Sequence, residues 1–343
     1  MPLLVFIFSR YLFMHQTSQF KPAWWLTNPH MQTLGAKLFR RNPIATFPEN
    51  IELPDGDFIE LAWTEVPTSS NSKPITVVLH GLEGSKDSHY ANRMLAAIKS
   101  KGWIGVLMHF RGCGKMTNRK ANSYHSGDTR DLSYLTKLLH SRYSKTELSI
   151  LGFSLGGNVL TKYLAQEPNN PYKAATVICA PLDLASCSAR INKGFSKLYQ
   201  KYLLDMLKAS TLVKVKAKLI RDITKEQIKA IKNIKEFDNS ITAPLNGFDN
   251  AEDYYEKSSG KQVLNQIKQP CLFIHAADDP FLCHQSTLPT KILPSNITFE
   301  VSNGGGHVGF IYGKNPFKPK FWLEHRTLNY LAQFIITQRN ATA

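Results

Sequence analysis

Residues Leu151–Leu160 read LGFSLGGNVL, one serine among three glycines between two apolar runs. Leu148–Phe153 (LSILGF) has the continuous apolar character of a buried strand, and Asn158–Gln166 follows with helical spacing. Gly152-x-Ser154-x-Gly156 therefore falls on a strand-to-helix turn. Small residues must flank the serine there, because side chains at Gly152 and Gly156 would meet neighbouring backbone. The helix start beneath it offers the N–H of Leu155 to a developing oxyanion. Glycine-rich turns of this kind also cradle phosphates. That alternative calls for GxxxxGK[ST] or GxGxxG, and Gly152–Gly157 matches neither.

Outward from this turn, short apolar runs alternate with helical patterns. Strands are predicted at Asp57–Trp63, Ile75–His80, Trp103–Phe110, Ala174–Ala180, Cys271–Ala276 and Ile297–Ser302. Helices are predicted at Tyr90–Lys101, Thr129–Tyr143 and Trp322–Thr337. Buried β-branched runs separated by helices imply an α/β fold: a mostly parallel central sheet with helices on both faces. A lysine-rich stretch with apolar residues at helical spacing interrupts the rhythm and reads as a helical cap insertion at about 185–260. Residues 20–343 then form a single domain. Residues 1–19 read as an N-terminal extension, with Met14 as an alternative start of translation. The run MPLLVFIFSRYLFM is shorter than the ~20 residues that span a bilayer, and Arg10 interrupts it.

A serine nucleophile needs a base, a group that orients the base, and donors for the oxyanion. In this architecture the order along the chain is Ser…Asp…His, each in a loop after a strand. HAADDPF follows the strand at Cys271, and NGGGHVGF follows the strand at Ile297. Asp279 is the expected orienter, three residues past the strand end and stiffened by Pro280; Asp278 is the alternative, as a local turn acid. His307, behind Gly304, Gly305 and Gly306, is the expected base. The loop LHGLEGS (Leu79–Ser85) supplies a second oxyanion donor in the N–H of Leu82, with His80 bracing the loop.

Other chemistry finds little support. The five cysteines form no CxxC pair, which fits a reducing cytoplasm and neither a disulfide framework nor a zinc module. Cys113, in FRGCG, sits in a loop without an evident activating base. His275, Asp278, Asp279 and His284 are a conceivable metal set but show no HExxH-like spacing, so no metal and no cofactor is expected. The net charge of +16 is concentrated between Lys193 and Lys235, where the local balance is +9. A solvated lysine face accounts for it; peripheral contact of the Lys-rich cap with anionic membrane is the functional alternative. No interleaved aromatic set or motif points to nucleic acid.

The segments NPHMQT (Asn28–Thr33), ELPDGDFIELAW, HGLEGS, HFRGCG, YHSGDTRDL, GFSLGGN, HAADDPF and GGGHVGF together closely resemble the YheT-type candidate esterases of the AB hydrolase 4 family. The likeness runs from about Phe20 to about Tyr330 and departs from the bacterial pattern at KMTN, after FRGCG. It implies an α/β-hydrolase fold and a serine hydrolase with Ser154, Asp279 and His307 as its triad; the cysteine usage sets the expected location as cytoplasmic, and membrane-peripheral under the alternative reading of the cap. The implied substrates are small-molecule carboxylic esters, lipid esters included. A non-catalytic lipid-binding protein on the same fold is the alternative.

Overall fold

The computed structural model describes residues 15–39, 43–283 and 293–335. The alternative start at Met14, the candidate ligand His284 and the last two residues predicted for the final helix lie outside them.

Among the described residues nine strands make one sheet in the order β1-β9-β8-β7-β6-β4-β5-β3-β2. Six form its parallel body: β4 (Ile75–Leu79), β5 (Ile104–His109), β6 (Leu148–Phe153), β7 (Tyr172–Ile178), β8 (Cys271–Ala276) and β9 (Ile297–Ser302). The three-residue strand β1 (His15–Thr17) extends it parallel to β9. At the other edge β3 (Phe58–Trp63) pairs antiparallel with β5, and β2 (Phe47–Glu52) antiparallel with β3. The mostly parallel sheet expected from the alternating runs is thus present.

Both faces of the sheet are apolar, as parallel strands require. Val77, Val106, Ile150, Val177 and Phe273 point into one core. Their chain neighbours Val78, Leu107, Leu151, Ile178 and Leu272 point into the other. Helices α3 (Arg130–Arg142) and α4 (Leu155–Gln166) cover the first face through Leu132, Leu135, Leu139, Val159 and Leu160. Helices α2 (His89–Ser100) and α9 (Trp322–Leu331) cover the second through Met94, Leu95, Ile98, Leu323 and Leu331. Each fully buried side chain of this size contributes about 1.5–3 kcal/mol.

Between β7 and β8 the chain leaves the sheet as α5 (Leu184–Ile191), the long α6 (Ser196–Lys216), α7 (Lys225–Ala230), short helical turns over Ile234–Leu245, and α8 (Ala251–Ser258). These carry small cores of their own, one around Leu204, Ile228 and Phe237, another around Leu184, Tyr254 and Tyr255. Polar contacts tie them to the body. Lys214 of α6 donates to Ala121 O, Asn122 O and Ser123 Oγ, and Ser196 donates to Pro280 O. Most of the lysine face is solvated, but Lys214 is buried, and burial pulls its ammonium down to about 8.

An early helix and the edge strand β2 are among the elements that escape the sequence patterns, and the final helix is shorter than predicted. Helix α1 (Pro29–Leu38) starts at Asn28, whose side chain accepts from the N–H groups of His30 and Met31, with Pro29 at its first position. Strand β2 holds Pro48 and is largely exposed, as an edge strand permits. Helix α9 stops at Leu331 because Gln333 and Phe334 bond three residues back and tighten the chain into a turn. Its apolar periodicity nevertheless continues to Ile335, still buried.

Candidate active site

Ser154 sits between β6 and α4 at φ 50, ψ −120, a conformation that side chains other than glycine rarely adopt. Its N–H donates to Ile178 O at 2.8 Å, which fastens the turn to β7. The flanking glycines leave no room for anything larger. A Cβ on Gly152 would lie 2.5 Å from Gly156 O, and one on Gly156 would collide with the carbonyl of His80. The turn thus holds the serine hydroxyl above the carboxyl ends of the strands.

His307 Nε2 stands 3.0 Å from Ser154 Oγ, and Nδ1 stands 2.8 Å from Asp279 Oδ2. A carboxylate only accepts, so in the neutral ring Nδ1 carries the proton and Nε2 is left to accept from the serine. The other oxygen of Asp279 accepts from the N–H of Phe281 at 2.8 Å. Phe281 in turn stacks on the imidazole, with centroids 4.1 Å apart. Asp278 takes a different place: it accepts from Gly306 N–H at 3.0 Å and shapes the histidine loop.

Helix α1 braces that loop from outside. Thr33 Oγ1 accepts the N–H of His307 at 2.9 Å, and Gln32 is bonded to both the carbonyl and the N–H of Ile311. Gly306, at φ 59, has the carbonyl of Pro29 and the hydroxyl of Thr33 where a Cβ would go. Pro29, Gln32 and Thr33 of the NPHMQT segment, which carried only a likeness at the level of sequence, are the support on which His307 rests. Asn28-Pro29 was the available signal for it, as a cap followed by a first-turn proline.

The HGLEGS loop lies beside Ser154. Gly81 N–H donates to Tyr90 Oη at 2.9 Å and Glu83 N–H to Tyr124 Oη at 2.7 Å. Both neighbours of Leu82 are therefore engaged. Among the described residues no hydrogen bond takes up the N–H of Leu82 or of Leu155. His80 is fully buried, with Nδ1 donating to Gly81 O and Nε2 accepting from Phe110 N–H; burial drives it down to about 3, so it stays neutral and structural. The carboxylate of Glu83 accepts from Tyr124 at 3.0 Å and from Ser210 of α6 at 2.5 Å. This polar bridge between cap and loop was not foreseen.

Ser154, Leu82, Leu155 and His307 line a cavity of about 580 Å³ roofed by α5, α6 and the turns that follow. Its walls are mainly apolar, from Leu184, Ile191, Leu203, Met206, Ile241 and others. The half-buried thiol of Cys113 is pushed well above its usual range, first by desolvation and then by the Glu83 carboxylate, which disfavours a thiolate there. Among the described residues the one group of ligand types drawn together is Cys179, Asp279 and His307, within 4.8 Å of one another. Hydrogen bonds already occupy the acid and the base, and burial holds the Cys179 thiol protonated.

Three comparisons set this geometry in context. The chain is 42% identical to the esterase candidate YheT of Escherichia coli (strain K12) over 322 residues, 93% of this chain and 94% of that one. It is 27% identical to phospholipase ABHD3 of Bos taurus, over 89% of this chain and 77% of that protein. Among solved structures, the esterase Pf2001 of Pyrococcus furiosus superposes with a TM-score of 0.55 at 16% identity, over 94% of this chain and 99% of that one, a likeness of fold. The alpha/beta hydrolase fold family matches residues 74–314. With a mostly parallel nine-stranded sheet among its described residues, a family match spanning 74–314 and 42% identity over nearly the full length of a bacterial relative, this chain belongs to the α/β-hydrolase family, as a homologue of YheT.

Proposed function

We propose that this chain is a serine hydrolase that cleaves carboxylic esters, lipid esters among them. One observation carries the reading: a serine strained onto a sharp turn, 3.0 Å from an imidazole whose far nitrogen is 2.8 Å from a buried carboxylate. The apolar cavity above it suits an acyl chain, and the relatives named an esterase candidate and a phospholipase are in keeping with it.

The chemistry runs in two steps. His307 Nε2 takes the Ser154 proton as Oγ attacks the ester carbonyl. The N–H groups of Leu82 and Leu155 hold the oxyanion. His307 then gives the proton to the departing alkoxide, and the C–O bond breaks to leave an acyl-serine. Water, deprotonated by the same nitrogen, adds to the acyl-enzyme; collapse releases the acid and returns the proton to Ser154. Asp279 keeps the ring in the required tautomer throughout. Each backbone donor is worth about 3–4 kcal/mol in the transition state.

A fluorophosphonate probe is expected to label the unsubstituted chain at Ser154. Ser154→Ala is expected to abolish both labelling and turnover of soluble esters without changing the melting temperature by more than a few degrees. An unlabelled, inactive native chain would favour the binding-protein alternative, and a fully active Ser154→Ala chain would overturn the mechanism.

A further inference from the structure

The residues that line the cavity are buried or half-buried, with five exceptions. Leu34, Lys37, Phe195, Leu198 and Tyr202 are exposed, and all lie on α1 or at the start of α6. The cavity therefore opens along the seam between these two helices. Contacts across the seam fix them side by side. His30 Nδ1 is 3.1 Å from Tyr199 Oη, its ring centroid is 4.5 Å from that of Phe195, and Lys37 Nζ lies 4.6 Å over the Tyr202 ring.

Each helix turns an apolar stripe outward at this mouth. On α1 it is Met31, Leu34 and Leu38; on α6 it is Phe195, Leu198 and Tyr202, at the same helical spacing. These six side chains are 40–78% exposed. A contiguous apolar rim of this kind marks an interaction site. Its charge is one-sided: residues 29–38 and 193–202 hold Lys37, Lys193, Lys197 and Lys201 and no carboxylate. Lys201 is partnered by Asp205, one turn further along.

We infer that this rim docks on an anionic lipid surface, so that the cavity takes its substrate directly from the bilayer. The inference rests on the reading of the cavity as an ester-binding site and adds the source of the ester. A second copy is disfavoured, because it would bring like-charged rims together on a chain of net charge +16. A protein partner seated on the seam would close the mouth it surrounds. A bilayer instead accepts apolar side chains below its headgroups, attracts the lysines beside them, and leaves the mouth facing lipid.

The test separates docking from catalysis. The Ser154→Ala chain, with hydrolysis switched off, is mixed at low salt with vesicles of phosphatidylcholine alone or of phosphatidylcholine and phosphatidylglycerol in equal parts, then sedimented. It is expected to follow the anionic vesicles and to be partly released by salt. Adding Met31→Ser and Leu38→Ser is expected to lower the partition coefficient roughly tenfold, about 1.4 kcal/mol. Neither side chain lines the cavity, so in the active chain this pair leaves turnover of a water-soluble ester unchanged. Val66→Ser with Met116→Ser, exposed apolar residues on neither helix and outside the cavity lining, is expected to sediment as before. The proposal fails if the Ser154→Ala chain stays in the supernatant, if the rim pair sediments undiminished, or if the control pair falls as far. Failure of the active chain to cleave the soluble ester, with sedimentation intact, would overturn the catalytic reading alone.

Discussion

Tyr124→Phe tests whether the loop that carries Leu82 is held in place by the hydroxyl it leans on. That hydroxyl accepts the N–H of Glu83 at 2.7 Å and donates to the Glu83 carboxylate at 3.0 Å. Glu83 itself is held at φ 50, a strained setting for a side chain of its size. Phenylalanine keeps the ring, which stacks on Phe110 at 4.9 Å, and removes only the oxygen. The orphaned N–H then costs about 1–3 kcal/mol, and relaxation of the strain is the route by which the loop recovers it. Relaxation moves the adjacent Leu82 N–H. Complete loss of that donor would lower kcat by about 10²–10³, so a partial displacement is expected to lower kcat/KM roughly ten- to a hundredfold. Steady-state hydrolysis of a soluble ester, well below the melting temperature, reads this directly. Tyr172→Phe is the control: its buried hydroxyl bonds Thr136 at 2.8 Å at the opposite end of the sheet. It is expected to lose comparable stability with kcat/KM unchanged. If Tyr124→Phe stays within about twofold of the unsubstituted chain, or if Tyr172→Phe loses as much activity, the coupling of Tyr124 to the oxyanion loop is wrong.

The two adjacent acids are expected to separate cleanly: Asp279→Asn, which imposes the wrong tautomer on His307, lowers kcat by about 10⁴, whereas Asp278→Asn costs about tenfold or less through a looser loop. Equal losses in ester turnover would reverse that assignment. Gly156→Ala drives a methyl into the carbonyl of His80 and is expected to destabilise the chain by at least about 1–3 kcal/mol in denaturant titrations, with an unchanged midpoint as the contrary result. Asp238 is buried within the cap with Tyr255 and Thr242 donating to it, and burial raises its carboxyl from its usual 3.8 to about 6. Between those values the folded chain binds the proton more tightly than the unfolded one. Its contribution is therefore fully present below pH 3.8 and lost as pH rises through about 6, on the order of 3 kcal/mol. Asp238→Asn is expected to flatten that part of the melting-temperature profile; parallel profiles for the two chains would refute it.

The sheet and the order Ser154, Asp279, His307 were legible because both are written in local patterns. An apolar run of six residues announces a buried strand, and a loop residue just past its end faces the sheet's carboxyl edge whatever surrounds it. The supports of these residues leave no such trace. Thr33 binds a backbone group 274 positions away, Ser210 reaches a carboxylate 127 positions away, and Tyr124 a loop 41 positions away. Nothing in the neighbourhood of any of the three indicates a partner, since a threonine on a helix or a tyrosine in a loop is unremarkable until the fold brings the other half. Strand β2 was obscured for a related reason: with Pro48 and mostly exposed side chains, it owes its extended form to pairing with β3. The seam between α1 and α6 combines both effects. Its apolar positions repeat locally on each helix, but that the two stripes meet around one cavity follows only from the contacts of His30 and Lys37 across it. That Ser154, Asp279 and His307 meet can therefore be read from spacing along the chain, whereas the way into the cavity beside them depends on surfaces that the chain assembles from distant segments.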